Sequence, residues 1–391
     1  MYFFNNCGRV LQVLKYIERF LSKETDMNIQ ISNIIRMITP ADQNAMALAK
    51  DRQSKLAKPP GSLGKLEDIS IRMAGMTGKV INRAENSVVL VFCADNGIIE
   101  EGVSSAPRSV TAAQAVNMTK GLTGMSSIAK AFNTQVVVAD IGIADDYICP
   151  DIVNCKIARG TRNFLREDAM PYTAAERAIL TGASMVFDIK NAGAEILGIG
   201  EMGIGNTSTS TAVLSALTGA SVDAITGRGG GLTDAAFEHK KAVIAAALDR
   251  RRPNPMDPID VLSKVGGLDI AAMCGAFLGA AANRLPVVID GFISAVAALC
   301  AAALCPAARD YMFPSHKSFE PGYSAAMSYL GLEPWLDLGM RLGEGSGCPI
   351  AFQVIKAACA AMTGMAMFGE QSDINDSYLD EIRKGDSFSF R

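Results

Sequence analysis

The chain has 391 residues, 49% of them hydrophobic, and a formal net charge of −3. That length predicts one large domain plus a smaller one. The acidic balance, without blocks of like charge, excludes the electrostatic footprint of a nucleic-acid binder or a polybasic membrane-surface protein, so small-molecule substrates held in a pocket are expected.

Residues 10–21 (VLQVLKYIERFL) place Val10, Leu14, Ile17 and Leu21 at helical spacing, with Lys15, Glu18 and Arg19 between them. These charges interrupt the apolar core that a signal peptide needs. Residues 1–26 therefore read as an amphipathic helix, or as an extension before a start at Met27, and the protein as cytoplasmic. Helical patterns follow at 41–57 and 66–78. The first strand pattern is Ser87–Asp95 (SVVLVFCAD), ending in Asp95, Asn96 and Gly97. After Gly102–Ser105 comes a helical stretch, 111–132, that holds Gln114. A second strand pattern spans Thr134–Ile143, a helix 173–190, a third strand Ala194–Gly200 and a helix 207–218. Helices at 233–249 and 267–283 flank a proline-rich break at 250–258 (RRRPNPMDP). The fourth strand is Pro286–Gly291, followed by helices at 320–331 and 349–368.

All four strands are near-continuous apolar runs, as expected of strands buried on both faces of a parallel sheet. Strands alternating with helices predict an α/β fold, a parallel sheet flanked by helices, over residues 86–348. The helices at the two ends, 27–85 and 349–391, are expected to form a smaller helical domain. In such sheets ligands bind at the carboxyl ends of the strands. The apolar stretch Pro349–Phe368 carries Gln353 and Lys356, so it reads as a buried helix and not a membrane span.

Nine cysteines include no C-x-x-C pair, and Cys93, Cys274 and Cys359 sit in apolar runs, as small hydrophobes do. An odd count in a chain of this size reads as reduced and intracellular. Two histidines, His239 and His316, supply a zinc site poorly. No metal is expected.

Gly198–Thr211 (GIGEMGIGNTSTST) carries the most chemical information. A strand ends in a glycine-rich loop, and Asn206, Thr207 or Ser208 can cap the helix that follows. Unshielded amides at a helix start make an anion site; a plain strand-to-helix turn is the alternative. Gly198, Gly200 and Gly203 also spell a dinucleotide-binding G-x-G-x-x-G, with Asp223 twenty residues on. A nicotinamide-dependent oxidoreductase is therefore the second reading. Two features oppose it: Glu201 inside the loop would repel a pyrophosphate, and the motif lies outside the first strand-turn-helix unit.

A second glycine loop, Gly227–Gly231 (GRGGG), contains Arg228, and the next helix carries Lys240 and Lys241. These cations suit a phosphate monoester, or else they lie on a solvated helix face. In Arg341–Gly347 (RLGEGSG), glycines on both sides of Glu344 allow the backbone to bend its carboxylate into a cavity; a surface turn is the alternative. Ser315, His316 and Asp290 permit a paper triad, but no G-x-S-x-G elbow accompanies them.

Taken together, KPPGSLGKLE (58–67), ADNG (94–97), GEMGIGNT (200–207), GRGGG, DG (290–291), SHKS (315–318) and MRLGEGSG (340–347) resemble the nicotinate-nucleotide–dimethylbenzimidazole phosphoribosyltransferase family, over about residues 35–368. The resemblance implies a Rossmann-like sheet domain, a small helical domain from both chain ends and a homodimer. It implies transfer of phosphoribose from nicotinate mononucleotide to a benzimidazole-type base, without metal or cofactor. Glu344 would be the general base and Glu201 the second functional carboxylate. Gly203, Gly205, Asn206, Thr207, Arg228, Lys240, Asp290, Gly291 and Ser318 would bind the nucleotide. Gln114 and Ser104 fall in the region that approaches the aromatic base. Gly230 and Tyr323 stand where many members carry threonine and histidine.

Overall fold

Valine, leucine and isoleucine crowd the middle of the chain into runs too apolar to face water, and these runs build the sheet. A computed structural model describes residues 30–369, 374 and 376–380; the extension expected at 1–26 lies outside the described residues. Six strands run parallel: β1 (Ser87–Ala94), β2 (Gln135–Gly142), β3 (Ile152–Asn154), β4 (Ile196–Met202), β5 (Val287–Ile289) and β6 (Met312–Pro314). Their order is β3-β2-β1-β4-β5-β6. Every residue of β1 and β4 is buried, as expected of central strands covered on both faces. Strand order reverses between β1 and β4, where a crevice opens beyond the strand ends. β3 and β6, with three residues each, lie at the sheet edges and were not read from the sequence.

By its internal contacts the chain divides into two compact units. Among the described residues, the larger holds 30–40 and Asn86–Phe352, and the smaller Ala41–Glu85 with the residues from Gln353 on. The helix Ile31–Met37, expected with the helical domain, belongs to the larger unit. Its Ile31 and Ile34 are buried, and the Tyr311 hydroxyl donates to the Thr39 carbonyl at 2.9 Å.

In the larger unit the helices Tyr172–Asn191 and Leu268–Ala282 cross at backbone contact. A Cβ on Gly182 would stand 1.8 Å from the Ala272 carbonyl oxygen, and one on Gly275 1.8 Å from that of Ile179. Only hydrogen fits at either place. The stretch 111–132 is two helices, Val110–Thr119 and Gly124–Ala131. Gly121 takes a left-handed φ of 73°, and Thr123 starts the second helix with a capping box. The helix Phe292–Leu304 has no counterpart in the sequence reading. Pro258, read as part of a break, opens the helix Pro258–Val265, where a missing N–H does no harm.

The smaller unit packs the helices Gln43–Lys55 and Lys65–Thr77 around Ala45, Ala49, Leu56, Ala74 and Met362. A part-buried Lys58–Glu67 pair at 2.7 Å closes its KPPGSLGKLE loop. Among the described residues no helix is long and apolar enough to cross a membrane, and the eight described cysteines are free.

Candidate active site

A cavity of about 610 Å³ opens at the switch point, in the larger unit. Glu201, at the end of β4, and Glu344 line it together with Asp290 and Gly291, which follow β5. The glycine-rich turn contributes Gly203, Gly205, Asn206 and Thr207. Ser318, Gln114 and Ser104 complete the set of sequence-derived candidates that meet there.

Glu344 occupies a strained turn. Gly343, Glu344 and Gly345 all take left-handed φ values, 82°, 63° and 86°, a conformation that costs a non-glycine residue about 1–2 kcal/mol. Such strain persists where the surroundings over-determine it. The carboxylate is buried, and its Oε2 accepts the N–H of Met125 at 3.1 Å, at the start of the helix Gly124–Ala131. The Glu344 N–H donates to Glu201 Oε1 at 3.3 Å. Asp290 holds the other side of the turn: its Oδ2 accepts from Gly345 N–H at 3.0 Å and its Oδ1 from Gly347 N–H at 2.7 Å.

Glu201 is equally enclosed. The Asn206 side-chain amide donates to Glu201 Oε2 and to Asp269 Oδ2 at 3.1 Å, so one amide group bridges two buried carboxylates. Burial pushes the Glu201 carboxyl up to about 8; the Asn206 amide opposes the rise, and Asp269 and Asp290 add to it. Burial likewise takes Asp269 up to about 6, against the Asn206 amide. Asp95 lies beneath this layer. It accepts the Ala144 N–H at 2.8 Å and hydrogen-bonds Thr111, whose hydroxyl oxygen accepts the Ile204 N–H at 3.1 Å. Asp95 thus pins the glycine-rich turn from behind and is not among the residues lining the cavity.

Amides and hydroxyls line the cavity beside these carboxylates. Gly205, with φ 93°, leads into the helix Asn206–Thr218, whose start faces the cavity near Gly229, Gly291 and Ser318. Lys240 stands one layer back. Its Nζ donates to Thr207 Oγ1 at 2.9 Å and to the Gly227 carbonyl at 3.0 Å. Burial takes the ammonium down to about 8, with Glu320 opposing. Arg228 departs further from expectation. It is exposed, paired with Asp234 at 2.6 Å and stacked over the Phe237 ring, because its loop turns the side chain outward.

The remaining sequence ideas meet physical obstacles. A Cβ on Gly198 would stand 2.5 Å from Cys348 Cβ, one on Gly200 2.5 Å from the Glu344 carbonyl oxygen, and one on Gly203 2.3 Å from that of Ala94. Internal packing therefore accounts for all three fingerprint glycines, with no pyrophosphate required. Ser315 is fully buried and donates to the Asp290 carbonyl at 3.0 Å, which rules it out as a nucleophile. Sequence reasoning passed over Arg341, which lines the cavity, although it sits in the quoted RLGEGSG motif. It also missed Asp269, whose signal is a lone acid opening an otherwise apolar helix.

A glycine-rich helix start and two buried carboxylates line one cavity at the strand ends, an arrangement that fits an enzyme of the glycosyl-transfer class. The family model described as "Phosphoribosyltransferase" matches residues 38–372. A nicotinate-nucleotide–dimethylbenzimidazole phosphoribosyltransferase of Clostridium perfringens is 49% identical over 353 residues, 90% of this chain and 98% of the relative. One of Ruminiclostridium cellulolyticum is 48% identical over 336 residues, 86% and 96% of the two chains. The crystal structure of CobT from Thermus thermophilus superposes with a TM-score of 0.80 at 36% identity, covering 84% of this chain and 98% of that one. The chain belongs to the nicotinate-nucleotide–dimethylbenzimidazole phosphoribosyltransferase family.

Proposed function

We propose that the protein transfers the 5-phosphoribosyl group of nicotinate mononucleotide to 5,6-dimethylbenzimidazole or a related base, releasing nicotinate and α-ribazole 5′-phosphate for the lower ligand of cobalamin. The observation that carries this reading is the paired enclosure of Glu344 and Glu201 in one cavity, together with a glycine-rich helix start. The 5′-phosphate binds at that helix start, near Thr207, Gly291 and Ser318, where amides and hydroxyls suit an anion. The aromatic base enters beside Gln114 and Ser104.

The chemistry needs one base. Nicotinate departs from C1′ with the electrons of the glycosidic bond, which neutralise its pyridinium nitrogen, so no acid assists it. One benzimidazole nitrogen attacks C1′ from the opposite face, inverting the anomeric carbon. Its other nitrogen gives its proton to Glu344, a step worth about 10²–10⁴-fold. Glu201, as carboxylate, offsets the positive charge that develops on the ribose. The protein works as a homodimer in the cytoplasm, a reading supported by the family resemblance.

Incubating the protein with nicotinate mononucleotide and a panel of bases, followed by mass analysis, is expected to give a ribotide of 5,6-dimethylbenzimidazole. Absence of any ribotide rejects the reading. Hydride transfer with a nicotinamide cofactor would replace it with the oxidoreductase.

A further inference from the structure

We infer that Asp290 is a positioning residue that sets the place of Glu344 through the backbone, and not a ligand of the nucleotide. Glu344 sits at a left-handed φ of 63° between two glycines of the same hand. A turn of this kind does not hold itself, since isolated L residues avoid that region. Something must over-determine it. Asp290 does so with both oxygens, one on the Gly345 N–H and one on the Gly347 N–H, bracketing the residue that carries the base.

Asp290 is itself fixed to three strands. It directly follows β5. Its N–H donates to Ser294 Oγ at 3.2 Å, and that hydroxyl donates to the Ile199 carbonyl of β4 at 3.1 Å. Its carbonyl accepts from Ser315 Oγ at 3.0 Å, directly after β6. His316 Nδ1 lies 3.9 Å from Asp290 Oδ1. The carboxylate is therefore a rigid strut between the sheet and the turn, with both oxygens engaged by protein donors. Displacing a catalytic group by about 1 Å can lower a rate 10²-fold, so the strut governs turnover and leaves nucleotide affinity alone.

The inference rests on Glu344 being the base, and the experiment keeps the two apart. Steady-state kinetics are measured for Asp290→Asn, Glu344→Gln and the double variant, with amide hydrogen exchange followed at Gly345 and Gly347. In Asp290→Asn an amide group replaces one acceptor oxygen. The expected result is a fall in kcat of about 10–10²-fold with KM for nicotinate mononucleotide within about threefold, and faster exchange at the two glycines. In the Glu344→Gln background the same change should cost less than about threefold, because residues acting as one unit are not additive. A raised KM with kcat kept would make Asp290 a nucleotide ligand and overturn the inference; so would unchanged kinetics. If Asp290→Asn does not fold, Ser315→Ala carries the test: it loosens the strut from behind and should lower kcat with KM kept. Unchanged kcat and exchange in that variant also overturn it. Full turnover by Glu344→Gln defeats the base assignment alone, since the exchange measurement still reports whether Asp290 holds the turn.

Discussion

The buried carboxylates and the glycine-rich turn that share the cavity are held by the same means and set to different tasks. Glu344 and Glu201 are held by backbone N–H groups and one asparagine amide. The turn offers amides and hydroxyls, while Lys240 behind it spends its ammonium on Thr207 and a carbonyl. In the proposed mechanism the carboxylates act at C1′ and on the incoming base, and the turn grips the phosphate. The carboxylates should therefore govern kcat and the turn KM.

The largest effect that would break this division comes from Glu344. Glu344→Gln is expected to lower kcat by about 10²–10⁴-fold while nicotinate mononucleotide still binds, as read by calorimetry and single-turnover assay. Lost binding with intact turnover of bound substrate would reverse the roles of the carboxylates and the turn.

Glu201 sharpens the same contrast through pH. Its carboxyl titrates near 8 in the folded protein, and the proposed mechanism uses the ionised form. The kcat/KM profile, which reports the free enzyme, should rise with pH through about 8; Glu201→Gln should lose that limb along with about 10–10²-fold in rate. Stability runs the other way. A carboxyl whose folded pKa is raised contributes stability fully present below its unfolded value, near 4.5, and lost as pH climbs through 8. Denaturant titration at pH 8.5 should find Glu201→Gln more stable than the wild type by at least about 1–2 kcal/mol.

Lys240 supports the glycine-rich turn from behind. Lys240→Met should raise KM for the nucleotide by about 3–10-fold, through a loosened Thr207, with kcat nearly kept. Its folded pKa lies near 8, below the ordinary lysine value of 10.5, so the folded state holds fewer protons than the unfolded state between those values. Wild-type stability should rise with pH across that window, and the variant should lack the rise. Arg228→Ala gives the smallest effect: with the side chain pointing outward onto Asp234 and Phe237, both constants should stay within about twofold. A tenfold change would mean that its loop folds inward when substrate binds.

The long strands, most helices and the glycine turns were legible because each leaves a local pattern. What was illegible depended on partners distant in sequence. Phe292–Leu304 escaped because it directly follows an apolar strand with no side-chain cap or charged first turn to mark its start, and no amphipathic period. The pattern over 111–132 concealed the break at Gly121–Gly124, yet that break creates the Met125 N–H that tethers Glu344. Glu344 and Glu201 stood out by their flanking glycines, whereas Asp269 sits in an apolar run and acquires meaning only when Asn206, 63 positions earlier, reaches it. Lys240 and Arg228 show the limit most plainly. Both are cations near a glycine loop, and only the folded path sends one inward behind Thr207 and the other into solvent.

Gly200 carries a last consequence. The Glu344 turn rests against its Cα hydrogens, at a spot no larger side chain could share, so the turn touches the main chain of β4 without any intervening packing. Thermal motion at Glu344 should then follow that of the sheet and remain small without ligand.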